Sequence, residues 1–304
     1  MSSIDHLITY VAKKQKNEQI YLFYNNKRFP LTDTDNSHYP IFNTSKSKIA
    51  YISKKRDENS IKLMNIDGSN QQTILTVKQI DSKLIWFHDD FKLLFSFRNQ
   101  NHFQIYSIQR DGFNLINLSQ HPSDNLKPHI NQKGDKFVFI SNRFNMFNVF
   151  ITDINTLETK RLTDDRSNDT PIISPDGKFI AYVTYHEQFS EISVMDIYGQ
   201  NKKTLTHSSH FNTQPIWSID SKQVLFTSSQ LGKQDLYLIN KDGTRLTRLT
   251  KEGNNKQAIW SRDGNKIIFI SDRNGYANLY SMNKDGSNQI NLTNSNYVNS
   301  HPNI

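Results

Sequence analysis

The chain has 304 residues, with 37 Lys and Arg against 29 Asp and Glu, a formal net charge of +8 at pH 7 and no cysteine. The lack of cysteine excludes a disulfide framework and a cysteine-ligated metal centre, and no apolar run approaches the roughly 20 residues that a membrane-spanning helix needs. Aromatic residues make up 12% of a chain that is only 35% hydrophobic, so bulky rings must supply much of the packing.

Met1 to His6 carries neither a charged leader region nor a hydrophobic stretch. The expectation is a cytoplasmic protein, or a periplasmic one whose leader has been removed. Ile8 to Ala12, Ile20 to Phe23 and Phe29 to Thr32 then read as three short strands. From there one unit recurs to the end of the chain. The residue before its aromatic position stands at Ile41, Ile85, His129, Ile172, Ile216, Ile259 and Asn303, in steps of 44, 44, 43, 44, 43 and 44. Each unit holds an inner strand, two apolar strands and a mostly polar outer strand ending in Leu-Thr, as at Leu162, Leu205, Leu249 and Leu292. The second strands, such as Lys136 to Ser141 and Lys266 to Ser271, are near-continuous apolar runs suited to burial on both faces. Asp-Gly pairs at Asp67-Gly68, Asp111-Gly112, Asp242-Gly243 and Asp285-Gly286 predict hairpins between third and outer strands. No segment has helical periodicity.

A four-stranded sheet cannot bury both faces alone, so the units must stack. The N-terminal unit lacks a first strand, and His301 to Ile304 supplies one. The expected fold is therefore all-β: a single seven-bladed β-propeller over 1–304, with antiparallel four-stranded blades and one composite blade (three N-terminal strands plus one C-terminal) whose seam lies between Ile304 and Met1. Closure removes the open sheet edge. Blade boundaries fall near 1–37 plus 299–304, 38–81, 82–125, 126–168, 169–212, 213–255 and 256–298. The alternatives are six blades or an open array of β-units.

The segments Pro171 to Thr184, Ile216 to Ser218, Ile259 to Gly264, Ile270 to Gly275 and Asn283 to Gly286 resemble the WD40-like repeats of the TolB-type propellers. The resemblance implies a propeller whose channel mouth binds something. TolB itself is a periplasmic propeller that carries an N-terminal α/β domain and binds a lipoprotein. These residues hold no such domain, and seven repeats stand where TolB has six. Related propellers also serve as peptidase gates and lyase scaffolds.

Candidate ligand contacts cluster where each inner strand begins. Asn125, Asn168, Asn212, Asn255 and Asn299 recur three residues before the Pro position, with Ser37 and Asp81 in the other copies. They either satisfy local backbone groups or ring the mouth. The next two positions vary: His38-Tyr39, Ser82-Lys83, Leu126-Lys127, Asp169-Thr170, Thr213-Gln214, Lys256-Gln257 and Ser300-His301. Variation on a repeating scaffold suits a grafted site or simple drift. His38, Tyr39, Lys83, Lys127, Asp169, Gln214, Lys256 and His301, together with the five asparagines, form the candidate set.

His38, His129 and His301 could approach the axis, and His207 and His210 share a loop, but none belongs to a metal-ligand motif. No metal and no cofactor is expected. Gly-x-Ser-x-Gly and phosphate-binding loops are absent. Trp86, Trp217 and Trp260 share one repeat position and read as packing residues.

The loops from second to third strand carry Lys13, Lys14, Lys16, Lys54, Lys55, Arg56, Arg98, Arg143, Lys233 and Arg273. No aromatic residues interleave with them, so nucleic acid is not expected. The reading is a monomeric, non-catalytic binding propeller for a protein segment or an anionic small ligand. The alternative is a lyase or hydrolase on a carbohydrate or other anionic substrate, with a metal as an option.

Overall fold

The computed structural model describes residues 7–14, 17–33, 36–81, 83–230 and 232–304. Met1 at the expected seam, Lys16 and Ser82 lie outside the described residues. The described residues form seven four-stranded antiparallel sheets and no helix. The six-bladed alternative is thereby set aside. In blade one the strand Val298–Asn303 pairs with Ile8–Lys14, joining the two ends of the chain in one sheet. Blades two to seven follow in chain order.

The second and third strands are buried because both their faces meet a neighbouring blade. Phe95, Phe137, Phe139, Phe226 and Phe269 lie in these strands and are fully buried, each contributing about 1.5–3 kcal/mol by leaving water. A separate apolar cluster fills each of the seven interfaces between blades. The closing interface packs Ile8, Tyr10, Ala12 and Phe23 of blade one against Ile268, Ile270 and Leu279 of blade seven. Trp86, Trp217 and Trp260 are buried packing residues. Trp86 and Trp217 donate their Nε1 hydrogens to the carbonyls of Ile41 and Ile172 in the preceding blade.

The Leu-Thr ending has a physical explanation. Its Leu joins an inter-blade cluster, while the hydroxyl accepts a backbone N–H of the third strand. Thr163 accepts from Val149, Thr206 from Ile192, Thr250 from Leu236 and Thr293 from Leu279, at 2.8–3.0 Å. At the Asp-Gly hairpins the glycine faces the preceding blade. A Cβ on Gly286 (φ +87) would stand 3.0 Å from the carbonyl oxygen of Leu249, so positive φ and close approach coincide there.

In blades four to seven the inner strands begin one residue earlier than the expected boundaries. Asn125, Asn168, Asn212 and Asn255, placed at the ends of blades by the repeat, each open the next inner strand. Their backbones already pair with the second strand while their side chains turn back to the preceding blade.

Candidate functional site

The first strands of neighbouring blades lie side by side around the axis and so line the central channel. Each starts at the face that carries the loops between second and third strands. Six of the seven have a bulge near this mouth, marked by a register shift against the second strand. One bulge residue in each is left-handed: Tyr39, Lys127, Thr170, Gln214, Gln257 and His301, with φ between 45° and 54°. None is glycine or asparagine, and such a conformation costs of order 1–3 kcal/mol per residue. The following residue is Pro40, Pro128, Pro171, Pro215, Ala258 or Pro302. Proline suits a bulge because it has no N–H to leave unpaired. Bulges re-aim side chains, and here they turn a different residue in each blade toward the axis.

Four of the six bulge N–H groups are accepted by side chains of the mouth itself. Gln214 Oε1 accepts the N–H of Gln257 at 3.3 Å, and Gln257 Oε1 accepts that of His301 at 2.8 Å. The His301 ring meets Tyr39 edge-on, with centroids 4.3 Å apart. Asp81 Oδ2 accepts the N–H of Lys127 at 3.1 Å, and Asp169 Oδ1 accepts that of Thr170 at 2.7 Å. A chain of polar and aromatic contacts thus runs across blades six, seven, one and two. A second group joins blades three, four and five.

Within the second group, Lys127 Nζ donates to both oxygens of Asp169 at 2.6 Å, and the Tyr185 hydroxyl donates to Asp169 at 3.3 Å. Burial and the Asp169 charge raise the Tyr185 pKa. Within the first group, His38 Nδ1 lies 2.5 Å from Glu18. Burial lowers the His38 pKa although Glu18 pulls the other way. Burial, then Lys83, His38 and Lys256, lowers His301 to about 4, so its ring is neutral at pH 7. Lys83 is open to the channel yet walled by protein, and this loss of bulk solvent lowers its pKa. Lys256 and Gln214 are exposed.

His129 sits one step further along its inner strand. Its Nδ1 accepts the N–H of Ile173 in the next blade at 3.2 Å. Asn303, at the same repeat position, accepts the N–H of Phe42 at 2.9 Å.

The structure therefore places His38, Tyr39, Lys83, Lys127, Asp169, Gln214, Lys256 and His301 around the mouth. The five asparagines need correction. Asn125, Asn168, Asn212, Asn255 and Asn299 are at most 2% exposed and face the preceding blade, not the channel. Asn255 Nδ2 donates to buried Asp235 at 3.1 Å and to Glu252 O at 3.0 Å. Asn299 Nδ2 donates to Ala277 O at 2.9 Å, and Asn212 Nδ2 to Ser190 O at 3.0 Å. Asn125 Nδ2 donates to Ser123 O at 2.6 Å, and Asn168 Oδ1 accepts from Thr163 at 2.5 Å. They tie each inner strand to the blade before it, the local backbone role that the sequence also allowed. Two of the basic loop residues are half-buried and engaged by the same asparagines. Arg143 and Arg273 donate to Asn125 and Asn255 at 3.0 Å and stack on Phe150 and Tyr280. Among the described residues no three His, Asp or Glu side chains converge on a common point that could hold a metal ion. Asp169 pairs with Lys127 instead of joining His38 and His301. Asp81, Thr170 and Gln257 stood at the positions that the repeat singled out but outside the candidate set, and Glu18 was not read as a mouth residue; the repeated proline after a variable position was the signal for the bulge.

Seven four-stranded blades around a lined axial channel define a repeat-built β-propeller. The TolB β-propeller domain model matches residues 1–180 and 170–304, and the chain belongs to that family. A TolB homologue of Chlorobaculum tepidum is 33% identical over 121 residues, covering 40% of this chain and 28% of the relative. The chain spans about a quarter of the length of the curated relatives it matches. Among solved structures, TolB from Acinetobacter baumannii aligns with a TM-score of 0.66 at 16% identity, over 99% of this chain and 67% of that one. An oligogalacturonate lyase in complex with manganese aligns with a TM-score of 0.72 at 13% identity, over 94% and 84%. At such identities the likeness is one of fold.

Proposed function

We propose that this TolB-like propeller is a non-catalytic binding platform that recognises a protein segment or a small anionic ligand at its channel mouth. One observation carries the reading: six strained non-glycine bulges stand at one level of the channel and present different side chains on a common backbone. Strain held at equivalent positions by an otherwise regular scaffold points to use. The mouth mixes an apolar-aromatic pair, Tyr39 and His301, with Lys83, Lys256 and the amide of Gln214. That set suits an extended segment with a carboxylate or an acidic side chain. Kinship with TolB proteins supports the periplasmic setting over the cytoplasmic one.

The lyase or hydrolase alternative draws on the fold likeness to an oligogalacturonate lyase. It has less support, because the mouth's Asp169 is engaged by Lys127 and its histidines do not gather with carboxylates into a common group. The test is affinity capture at low and physiological salt, with wild-type protein and a Tyr39→Ala/Gln214→Ala/His301→Ala variant. Partners held by the wild type at physiological salt and lost from the folded variant support a mouth site. Loss of every partner from the wild type on raising the salt contradicts it and leaves only screened charge attraction.

A further inference from the structure

The hairpins between second and third strands are not equally tall. In blades two and three they are built from eight-residue strands, Lys48–Lys55 with Glu58–Asn65 and Lys92–Asn99 with His102–Gln109. In blades four, six and seven the equivalent strands have six residues, as in Lys136–Ser141 with Asn148–Asp153. The ladder of blade one reaches the same level, with Lys14 opposite Asn17. The hairpins of blades two and three close in tight turns at Arg56-Asp57 and Gln100-Asn101. Between them, and off the channel axis, lies a cleft of about 650 Å³ floored by the link at Lys78 and Gln79. Its volume falls in the range of small-molecule sites.

The lining is unlike that of an ordinary ligand pocket. Lys54, Arg56, Lys78 and Arg98 converge on it, with Asp57 as the one acid. The other lining residues are amides, so there is no aromatic face for a base or a sugar ring to stack on. Elsewhere a few cations are paired with acids: Lys127 with Asp169, Lys136 with Asp153, Arg248 with Asp235. Among the described residues none of the four cleft cations is in an ion pair. The walls are nonetheless tied together. Arg98 N donates to Gln79 O at 2.9 Å, Asn59 Nδ2 donates to Lys78 O at 2.6 Å, and Ile80 bridges to Phe97. The Arg98 guanidinium is held 4.8 Å over the Phe103 ring. The backbone of the cleft is thus fixed, and the exposed positive side chains that line it repel one another until an anion arrives.

We infer that this cleft binds a compact polyanion of the phosphate type, carrying two or more phosphate groups. Two arginines and two lysines offer fork-shaped and point-charge donors to oxyanions. A polyphosphate concentrates several charges in the small volume available, whereas a polycarboxylate of equal charge needs more carbon skeleton, for which the cleft has no apolar wall. None of the cleft residues belongs to the proposed mouth set, so the two readings stand or fall separately.

The experiment is titration calorimetry of the full chain with inorganic tripolyphosphate in 0.15 M salt. One saturable site is expected, with monophosphate binding at least about tenfold more weakly. Arg56→Gln and Arg98→Gln should each weaken tripolyphosphate binding by about tenfold or more. Lys233→Gln, which removes the same charge from the blade-six hairpin, should leave it unchanged, as should Tyr39→Ala/His301→Ala at the mouth. Circular dichroism establishes that each variant is folded. The proposal is overturned by the absence of a saturable site, by an equal loss in Lys233→Gln, by loss in the mouth variant, or by tighter binding of citrate or trigalacturonate than of tripolyphosphate.

Discussion

Replacing His129 by asparagine should remove a defined acid sensitivity without loosening the ring at neutral pH. His129 accepts the N–H of Ile173 on Nδ1, so that nitrogen carries no proton and Nε2 does. Burial, with His88 adding to it, lowers the pKa from 6.5 to about 4. As pH falls, the unfolded chain takes up this proton before the folded one does. The contribution to stability is therefore full above about pH 6.5 and is lost progressively toward pH 4. At pH 5 the loss comes to about 2 kcal/mol before any screening. The ring is partly accessible from the channel, which reduces the figure to about 1–2 kcal/mol. Asn303 performs the same inter-blade acceptance in blade one, so asparagine is a replacement that the fold already uses. Urea unfolding of wild type and His129→Asn, followed by tryptophan fluorescence at pH 7.5 and pH 5.0, measures the effect. The two proteins should agree within about 0.5 kcal/mol at pH 7.5, and the wild type should lose about 1–2 kcal/mol more than the variant on going to pH 5. Equal losses would refute the reasoning, because His129 would then not be the titrating group.

Three further outcomes follow from the packing. Gly253→Ala should destabilise by about 1–3 kcal/mol in urea unfolding, since its φ is +68° and a Cβ would stand 2.6 Å from the backbone nitrogen of Arg273. Asp235→Ala should cost about 3 kcal/mol or more, because Arg248, Thr250 and Asn255 all donate to this buried carboxylate; a loss under 1 kcal/mol by the same assay would show that the network is dispensable. Deleting residues 298–304 should expose the edge of Ile8–Lys14 and the closing cluster, giving aggregation by light scattering instead of a soluble open ring.

The blade count was legible because hydrophobic period and turn chemistry agree at every copy. Trp217 and Trp260 mark inner strands, Asp242-Gly243 and Asp285-Gly286 mark hairpins, and His301 to Ile304 completes the unit that the N-terminus leaves short. The function of the asparagines was only half legible. Their recurrence shows that something needs an amide there, but the direction of the side chain depends on pairing with a second strand some 15 residues away. The bulge was written in the sequence only as the proline that follows it; a left-handed Tyr39, Thr170 or His301 has no local signature, since tertiary packing forces it. Blade three is the hardest case. Lys83 precedes Leu84 instead of proline, its inner strand shrinks to Ile85–Trp86, and Asp81 reaches across to Lys127. The cleft beside it was invisible for another reason: its cations come from two blades and the link between them, and only the stacking of those blades brings them together.

Hydrogen–deuterium exchange of the protein alone and with a partner captured at physiological salt tests the central claim most directly. The proposed mouth predicts slowed exchange in the inner-strand segments around Tyr39, Lys127, Thr170, Gln214, Gln257 and His301, with the Asp-Gly hairpins of the opposite face unchanged. Slowing confined to those hairpins or to the outer strands would contradict it.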